Sequence, residues 1–251
     1  MILKYISWRS WRKHYNDDRY YIQMITNETA LGKIIRFPLR FIPKSFVLPI
    51  LSGAARGMKW VKGSGVNGYW LGIYEKSQQV ETLKRAKPEM VAYDVGAHAG
   101  FYSLIFSKYC RRVFAFEPSE KNRVFIREHL KLNKITNVFL LPEAVSNYSG
   151  RANFKELESS AQGRLSDEGY EVSVISIDDF VKENPPPDII KIDVEGEEFN
   201  AVKGAEETLK KYAPVLFVAT DDKPESLYVE FFNKVDYKIT HREKNFIIAE
   251  K

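Results

Sequence analysis

The sequence predicts a doubly wound α/β fold. It expects a mostly parallel seven-stranded sheet, closed by a C-terminal antiparallel hairpin and preceded by an N-terminal extension. Three observations lead there. From Met90 onward, short apolar runs alternate with amphipathic stretches of helical period. Five of those runs are continuously apolar, as strands covered on both faces are. The last two runs lie too close together for a helix between them, which makes them a hairpin.

The strand runs are Met90–Asp94, Val113–Glu117, Val138–Leu141, Ile189–Asp193, Pro214–Thr220, Tyr237–Thr240 and Phe246–Glu250. The first five read as parallel strands buried on both faces. Helical patterns fall at Phe101–Tyr109, Ser119–Asn133 and Glu197–Lys211. Alternation of this kind puts helices on both faces of a parallel sheet. Ser119 stands where an N-cap belongs and Asn133 closes that helix. The Glu197 stretch has acids in its first turn and Lys210 and Lys211 in its last, each suited to the helix dipole. Pro214 then stops it. Arg151 to Ile175 reads as an inserted small hairpin. Asp178 and Asp179 begin a short helix that ends before Pro185.

The 251 residues accommodate one such domain plus additional segments. A boundary near Lys87 and Pro88 divides a basic, aromatic-rich first third from the alternating region. Residues 1–87 carry 16 Lys/Arg against 5 Asp/Glu, whereas residues 88–251 carry 22 against 28. The expected divisions are an extension over 1–45, a Gly-rich lid or small sheet over 46–87, and a ligand-binding domain over 88–251. The extension is expected to be partly helical. Its Trp8, Trp11 and Tyr15 with Arg9, Arg12 and Lys13 suit docking onto the main domain, with peripheral membrane contact as the alternative. No apolar run is long enough to span a bilayer, and the start lacks the pattern of a secretion signal. A cytoplasmic location follows as the expectation. The single cysteine, Cys110, excludes an internal disulfide and a multi-cysteine metal site.

The chemistry concentrates at strand ends. Val91-Ala-Tyr-Asp94-Val-Gly96-Ala-His98-Ala-Gly100-Phe101 is a strand, a glycine-bearing turn and a helix start. Glycines allow sharp turning and close approach to a ligand. Glu117 lies at the end of the second strand, 23 residues beyond Asp94, where an acid accepts hydrogen bonds from ribose hydroxyls. The turn reads D-x-G-x-x-x-G rather than the G-x-G-x-x-G of dinucleotide sites, so no pyrophosphate cradle is evident. This spacing favours S-adenosylmethionine over a nicotinamide cofactor. A third cluster, Lys191-Ile-Asp193-Val-Glu195-Gly196-Glu197-Glu198, sits at the carboxyl end of the fourth strand, where open α/β sheets place ligands. Glu197 and Glu198 read as a helix start, and Asp193 reads as functional.

Taken in order, DVGAHAGFYSL, FAFEPSEKN, LLPEAVSNYSG and IIKIDVEGEEFNAVKGAEETL resemble successive motifs of the FkbM-type methyltransferases. The resemblance runs from about Ser52 to Pro214. It implies a class I methyltransferase fold, S-adenosylmethionine as cofactor, and methyl transfer to a hydroxyl of a sugar, glycolipid or secondary metabolite. By motif position it implies cofactor contacts from Asp94, Gly96, Ala97, Gly100, Glu117, Pro118, Glu143, Ala144 and Asp193. His98 departs from the family's usual Asn.

Asp193 and His98 are the candidates for the base that takes the acceptor proton. The expected partner is a small-molecule or glycan acceptor. Neither nucleic acid nor a resident metal is expected. The motif of base-methylating enzymes, Asn/Asp-Pro-Pro-aromatic after the fourth strand, is replaced here by DVEG. The competing readings are a nucleic-acid methyltransferase, a non-catalytic cofactor-binding or membrane-associated assembly protein, and a nicotinamide-dependent oxidoreductase.

Overall fold

A computed structural model describes residues 43–65, 67–156 and 163–251. The chain divides into two compact units, residues 1–46 and 47–251. The expected helical content and membrane contact of the extension fall almost wholly outside the described residues. Among the described residues, no helix is long and apolar enough to cross a membrane.

The second unit is built on a seven-stranded sheet. Its strands are β3 (Val91–Val95), β4 (Arg112–Phe116), β5 (Val138–Leu141), β10 (Ile189–Ile192), β11 (Val215–Ala219), β12 (Lys238–Glu243) and β13 (Phe246–Glu250). Their spatial order is β12-β13-β11-β10-β3-β4-β5. The five from β5 to β11 are parallel, and β13 runs antiparallel to both β11 and β12. All seven apolar runs therefore became strands of this sheet. One expectation is corrected: β5 is only half buried, because it is the edge strand and has a neighbour on one side only.

Helices cover the sheet. They are α1 (Asn67–Leu71), α2 (Lys76–Arg85), α3 (Phe101–Tyr109), α4 (Glu120–Asn133), α5 (Ile177–Phe180), α6 (Glu198–Lys203), α7 (Glu206–Tyr212) and α8 (Glu225–Lys234). The hydroxyl of Ser119 accepts the Asn122 amide at 3.4 Å, so α4 is capped as its sequence expects. Glu197 to Lys211 is two helices rather than one. Gly204 breaks it, lying so close to Ser146 that a Cβ would stand 2.2 Å from that residue's carbonyl oxygen. Asp178 then caps α7 by accepting the amides of Glu207 and Thr208 at 3.0 and 2.7 Å. Helices α2 and α8 had no clear signal. The inward face of α2 carries Gln79, Glu81 and Thr82 beside Val80, so its buried side is polar and leaves no apolar stripe.

The insertion is larger than a hairpin. Strands β6 (Ala144–Val145), β7 (Gly150–Glu156), β8 (Gly163–Ser166) and β9 (Tyr170–Ile175) form a second sheet in the order β6-β9-β7-β8. Ala144, Phe154, Val172 and Val174 make its own small core.

Ahead of the main sheet, β1 (Val47–Pro49) pairs antiparallel with β2 (Lys59–Val61). Trp60 of β2 is fully buried, stacked on His129 of α4 at 3.9 Å between ring centres. The Val61 amide donates to His129 Nε2 at 3.0 Å, so the proton sits on Nδ1, 2.9 Å from the Ala99 carbonyl. Asn133 completes the joint, accepting from the Lys59 amide and donating to the Lys59 carbonyl at 2.7 and 2.8 Å.

Two predictions follow from this packing. Burial holds His129 down at about 4 against an ordinary 6.5. Its neutral ring favours the folded state above pH 6.5, and that contribution is lost as pH falls toward 4. A proton-NMR titration should show the His129 ring unprotonated at pH 5.5, whereas a midpoint near 6.5 would contradict the buried geometry. At the other joint, Gly96 has φ +80° and a Cβ there would stand 1.9 Å from the Asp193 carbonyl oxygen. Gly96→Ala should cost more than about 1 kcal/mol in urea denaturation, and an unchanged midpoint would refute the close approach.

Candidate active site

The strand order reverses between β3 and β10, whose following helices, α3 and α6, depart from adjacent strand ends. A crevice opens at such a switch point beyond the carboxyl ends of the strands. A cleft of about 540 Å³ lies there. Six of the nine expected cofactor residues line it: Gly96, Glu117, Pro118, Glu143, Ala144 and Asp193. His98 lines it too.

The other three are placed differently. Asp94 is 1% exposed and accepts the Ser103 hydroxyl at 2.6 Å, which braces β3 against α3. Burial pushes its carboxyl above the ordinary range, and nearby Lys191 opposes that. Ala97 packs in a small apolar cluster with Ala115 and Ile126. Gly100, at φ +89°, precedes α3 so near Ile126 that a Cβ there would stand 3.2 Å from that side chain. These residues shape the turn and do not face the cleft. The Gly96 and Ala97 amides both donate to the Phe116 carbonyl at 3.0 Å, tying the turn to the end of β4.

Glu117 is the most constrained acid of the cleft. The His98 amide donates to its Oε2 at 2.7 Å and the Ser119 amide to its Oε1 at 2.9 Å. Each oxygen has one backbone partner, the Asn122 side chain bonds the same carboxylate, and some acceptor capacity remains. Burial raises the carboxyl to about 7, with the Ser119 and His98 amides working against that rise. Glu143 contributes a different feature: its Oε2 is buried without a hydrogen-bond partner. A buried acceptor without a partner is costly in a folded protein.

At the β10 end, Lys191 is 5% exposed and its Nζ donates to Asp193 Oδ2 at 2.8 Å. Its ammonium also lies over the Tyr102 ring, 4.6 Å from the centre. Burial alone would lower the Lys191 pKa, but Asp193, Glu75 and Asp94 outweigh it and hold the ammonium charged. His98 is kept below its ordinary value by burial, so its imidazole is neutral at pH 7. Its Nδ1 faces the Tyr69 hydroxyl at 3.4 Å.

Several cleft residues lay outside the expected set. Phe154, Gly163 and Leu165 bring the second sheet onto the cleft wall. No motif signals them, because their place depends on how the insertion folds back. Glu197, read as a mere helix start, lines the cleft and accepts from Ser146 Oγ and Asn200 Nδ2 at 2.9 and 3.0 Å. Glu198 instead folds back on its own loop, accepting the Val194 and Gly196 amides. The backbone marks the site as well. Among the described residues, His98 and Glu195 on the cleft and Glu75 beside it are non-glycine residues in the left-handed region. Such conformations persist where the surrounding structure enforces them, often at functional sites.

A second cavity, about 620 Å³, adjoins the first. Tyr74, Glu75, Gln78, Lys191 and Asp221 are among its walls. Asp193 lines both spaces.

The FkbM methyltransferase domain model matches residues 94–247. The hexuronic acid methyltransferase AglP of Haloferax volcanii is 30% identical over 178 residues, covering 67% of this chain and 74% of that protein. Among solved structures, an FkbM methyltransferase from Methylobacillus flagellatus aligns with TM-score 0.47 and 16% identity over 75% of this chain. The chain spans 56% of that protein's length. SMU.1697c of Streptococcus mutans, in complex with S-adenosylhomocysteine (SAH), aligns with TM-score 0.45 and 14% identity, covering 67% of this chain and 92% of that one. By the domain match and the sequence relative together, the chain belongs to the FkbM methyltransferase family.

Proposed function

We propose that this methyltransferase uses S-adenosylmethionine to methylate a hydroxyl of a sugar. The carrying observation is the placement of two acceptor carboxylates in one cleft that also holds Asp193. Glu117 is anchored by two backbone amides and the Asn122 side chain, and retains capacity to accept from a ribose hydroxyl. The partnerless Glu143 Oε2 suits the amino group of adenine. Gly96 leaves the floor bare beside Asp193, where the methionine end would lie. The residues therefore fit the group. The AglP relative, a hexuronic acid methyltransferase by name, supports the choice of a sugar acceptor.

When bound, S-adenosylmethionine supplies an electrophilic methyl group and retains the electron pair of the broken carbon–sulfur bond. The protein must align the acceptor oxygen and exclude water. Alignment alone is worth roughly 7–11 kcal/mol. Asp193 receives the proton that the acceptor hydroxyl loses, and Lys191 fixes that carboxylate by occupying Oδ2. His98 lines the cofactor cleft and is absent from the walls of the second cavity, so the assignment of base goes to Asp193. His98 instead serves through its backbone, whose amide holds Glu117.

Three outcomes test this reading. SAH should bind in calorimetry at near-micromolar affinity while NAD does not bind, and Glu117→Ala should weaken SAH by about 10–100-fold, the worth of hydrogen bonds to a charged group. Failure of SAH to bind the folded protein would refute the cofactor. Next, the Glu117 carboxyl sits near 7 in the free protein, and its ionised form is the better acceptor. SAH affinity should therefore decline as pH drops below 7 and level off above it, and this slope should vanish in Glu117→Gln. Finally, Asp193→Asn should leave SAH affinity within a few-fold and reduce methyl transfer by about 10²–10⁴. Undiminished transfer would remove Asp193 as the base.

A further inference from the structure

We infer that the cavity beyond Asp193 is the acceptor site, that it takes a hydroxyl-rich ring, and that Glu75 grips a second hydroxyl beside the one that reacts. This rests on the methyltransferase reading above. It adds a role for Glu75, to which the sequence assigned none, and a class of ligand for the second cavity.

The geometry begins with Asp193. It is the one residue shared by the walls of the cofactor cleft and of the second cavity. A ligand in the second cavity therefore meets the reacting end of the first across a single carboxylate.

Glu75 is the unusual member of that wall. Its Oε2 is buried and has no hydrogen-bond partner. Its backbone sits at φ 44°, just ahead of α2. The segment before it is strapped in place by Gln79, whose Nε2 donates to the carbonyls of Gly72 and Tyr74. Tyr74 and Tyr102 stand beside this carboxyl and, against the rise that burial causes, lower its pKa by hydrogen bonding, while Oε2 keeps acceptor capacity toward the cavity. An oxygen of that kind accepts a hydrogen bond from a ligand.

The charge of the wall chooses among ligands. Lys191 is already committed to Asp193 at 2.8 Å. Burial raises the Glu75 carboxyl above its ordinary range, while Lys191 opposes this. Lys191 already places a buried ammonium against Asp193, so a cationic ligand would meet a like charge there. An anionic group has no uncommitted cation there either. Lys244, the other cation of the lining, is exposed, and the exposed acid Asp221 on the same wall offsets it. A neutral ring with adjacent hydroxyls matches the inner wall: one hydroxyl meets Asp193 and its neighbour meets Glu75. Glu75 is then a positioning residue that sets which hydroxyl faces Asp193.

The test is saturation-transfer NMR on the SAH-loaded protein with methyl glycosides of glucose, galactose and mannose and with methyl glucuronide. Ring-proton signals are expected from at least one of them. Gln78→Trp, which fills the cavity from α2, should abolish the signal while melting temperature and SAH affinity hold. Glu75→Ala should weaken glycoside binding at least fivefold, and Glu75→Gln, which keeps a hydrogen-bonding oxygen, should weaken it less. With any glycoside that is methylated, Glu75→Ala should also shift the ratio of methylated positions, which a merely structural residue would not do.

Glycoside signals equal in wild type and Gln78→Trp would overturn the site. Signals from glucosamine alone would overturn the ligand class. SAH binding with no glycoside signal overturns this inference alone. Glycoside binding without SAH binding overturns the methyltransferase reading and leaves the cavity assignment standing.

Discussion

The site depends on one close approach. Where β3 and β10 lie side by side, the turn after β3 comes so near the end of β10 that a hydrogen atom is the largest side chain Gly96 can carry. Paired strands fix the spacing, and the two amides held by the Phe116 carbonyl fix the turn. Everything functional is then hung from that junction. His98 follows in a left-handed conformation and presents its amide to Glu117. Asp193 emerges opposite, steadied by Lys191. Lys191 is buried and Asp193 half-buried, so losing the aspartate would leave a buried ammonium without its ion-pair partner, and these charges are positioned at some risk to the fold.

The acids of this region divide by the company they keep. Glu117 is held by backbone amides, Asp193 by an ammonium, Glu198 by its own loop. Glu143 and Glu75 each keep one buried oxygen without a partner. Satisfied acids build the site, and unsatisfied ones are where the protein leaves room for another molecule's donors. One cleft and one cavity separated by a single aspartate is the layout that transfer between two bound molecules requires.

Much of this was legible in the sequence because it is local. The seven strands announce themselves as apolar runs, and the Ser119 cap, the Gly96 turn and the ends of β3, β4 and β10 carry their residues at fixed spacings. Six of nine expected cofactor residues share one cleft for that reason. The misses have a common cause. Asp94, Ala97 and Gly100 belong to the same motif, but Asp94 lies within β3 and bonds to Ser103, Ala97 packs on Ile126, and Gly100 sits at the start of α3. Helix α2 hides because its buried face is polar and bonds to specific carbonyls, a pattern that hydrophobic period cannot register. Phe154 and Leu165 reach the site only through tertiary folding, across separations for which a single sequence offers no rule, and Glu75, within the stretch that resembles the family, had no role assigned to it.

The second sheet has a bearing on how such a protein diversifies. It shares only β6, two residues long, with the path from β5 onward, and it has a core of its own. One wall of the cleft is therefore a module grafted at a narrow joint. Substitutions on its outer strands can remodel that wall while the main sheet and its junction stay untouched. Val145 and Ile175 tie the base of this sheet into the main core, whereas Phe154 and Val172 pack in its own, so its outer part can drift with little disturbance of the main sheet.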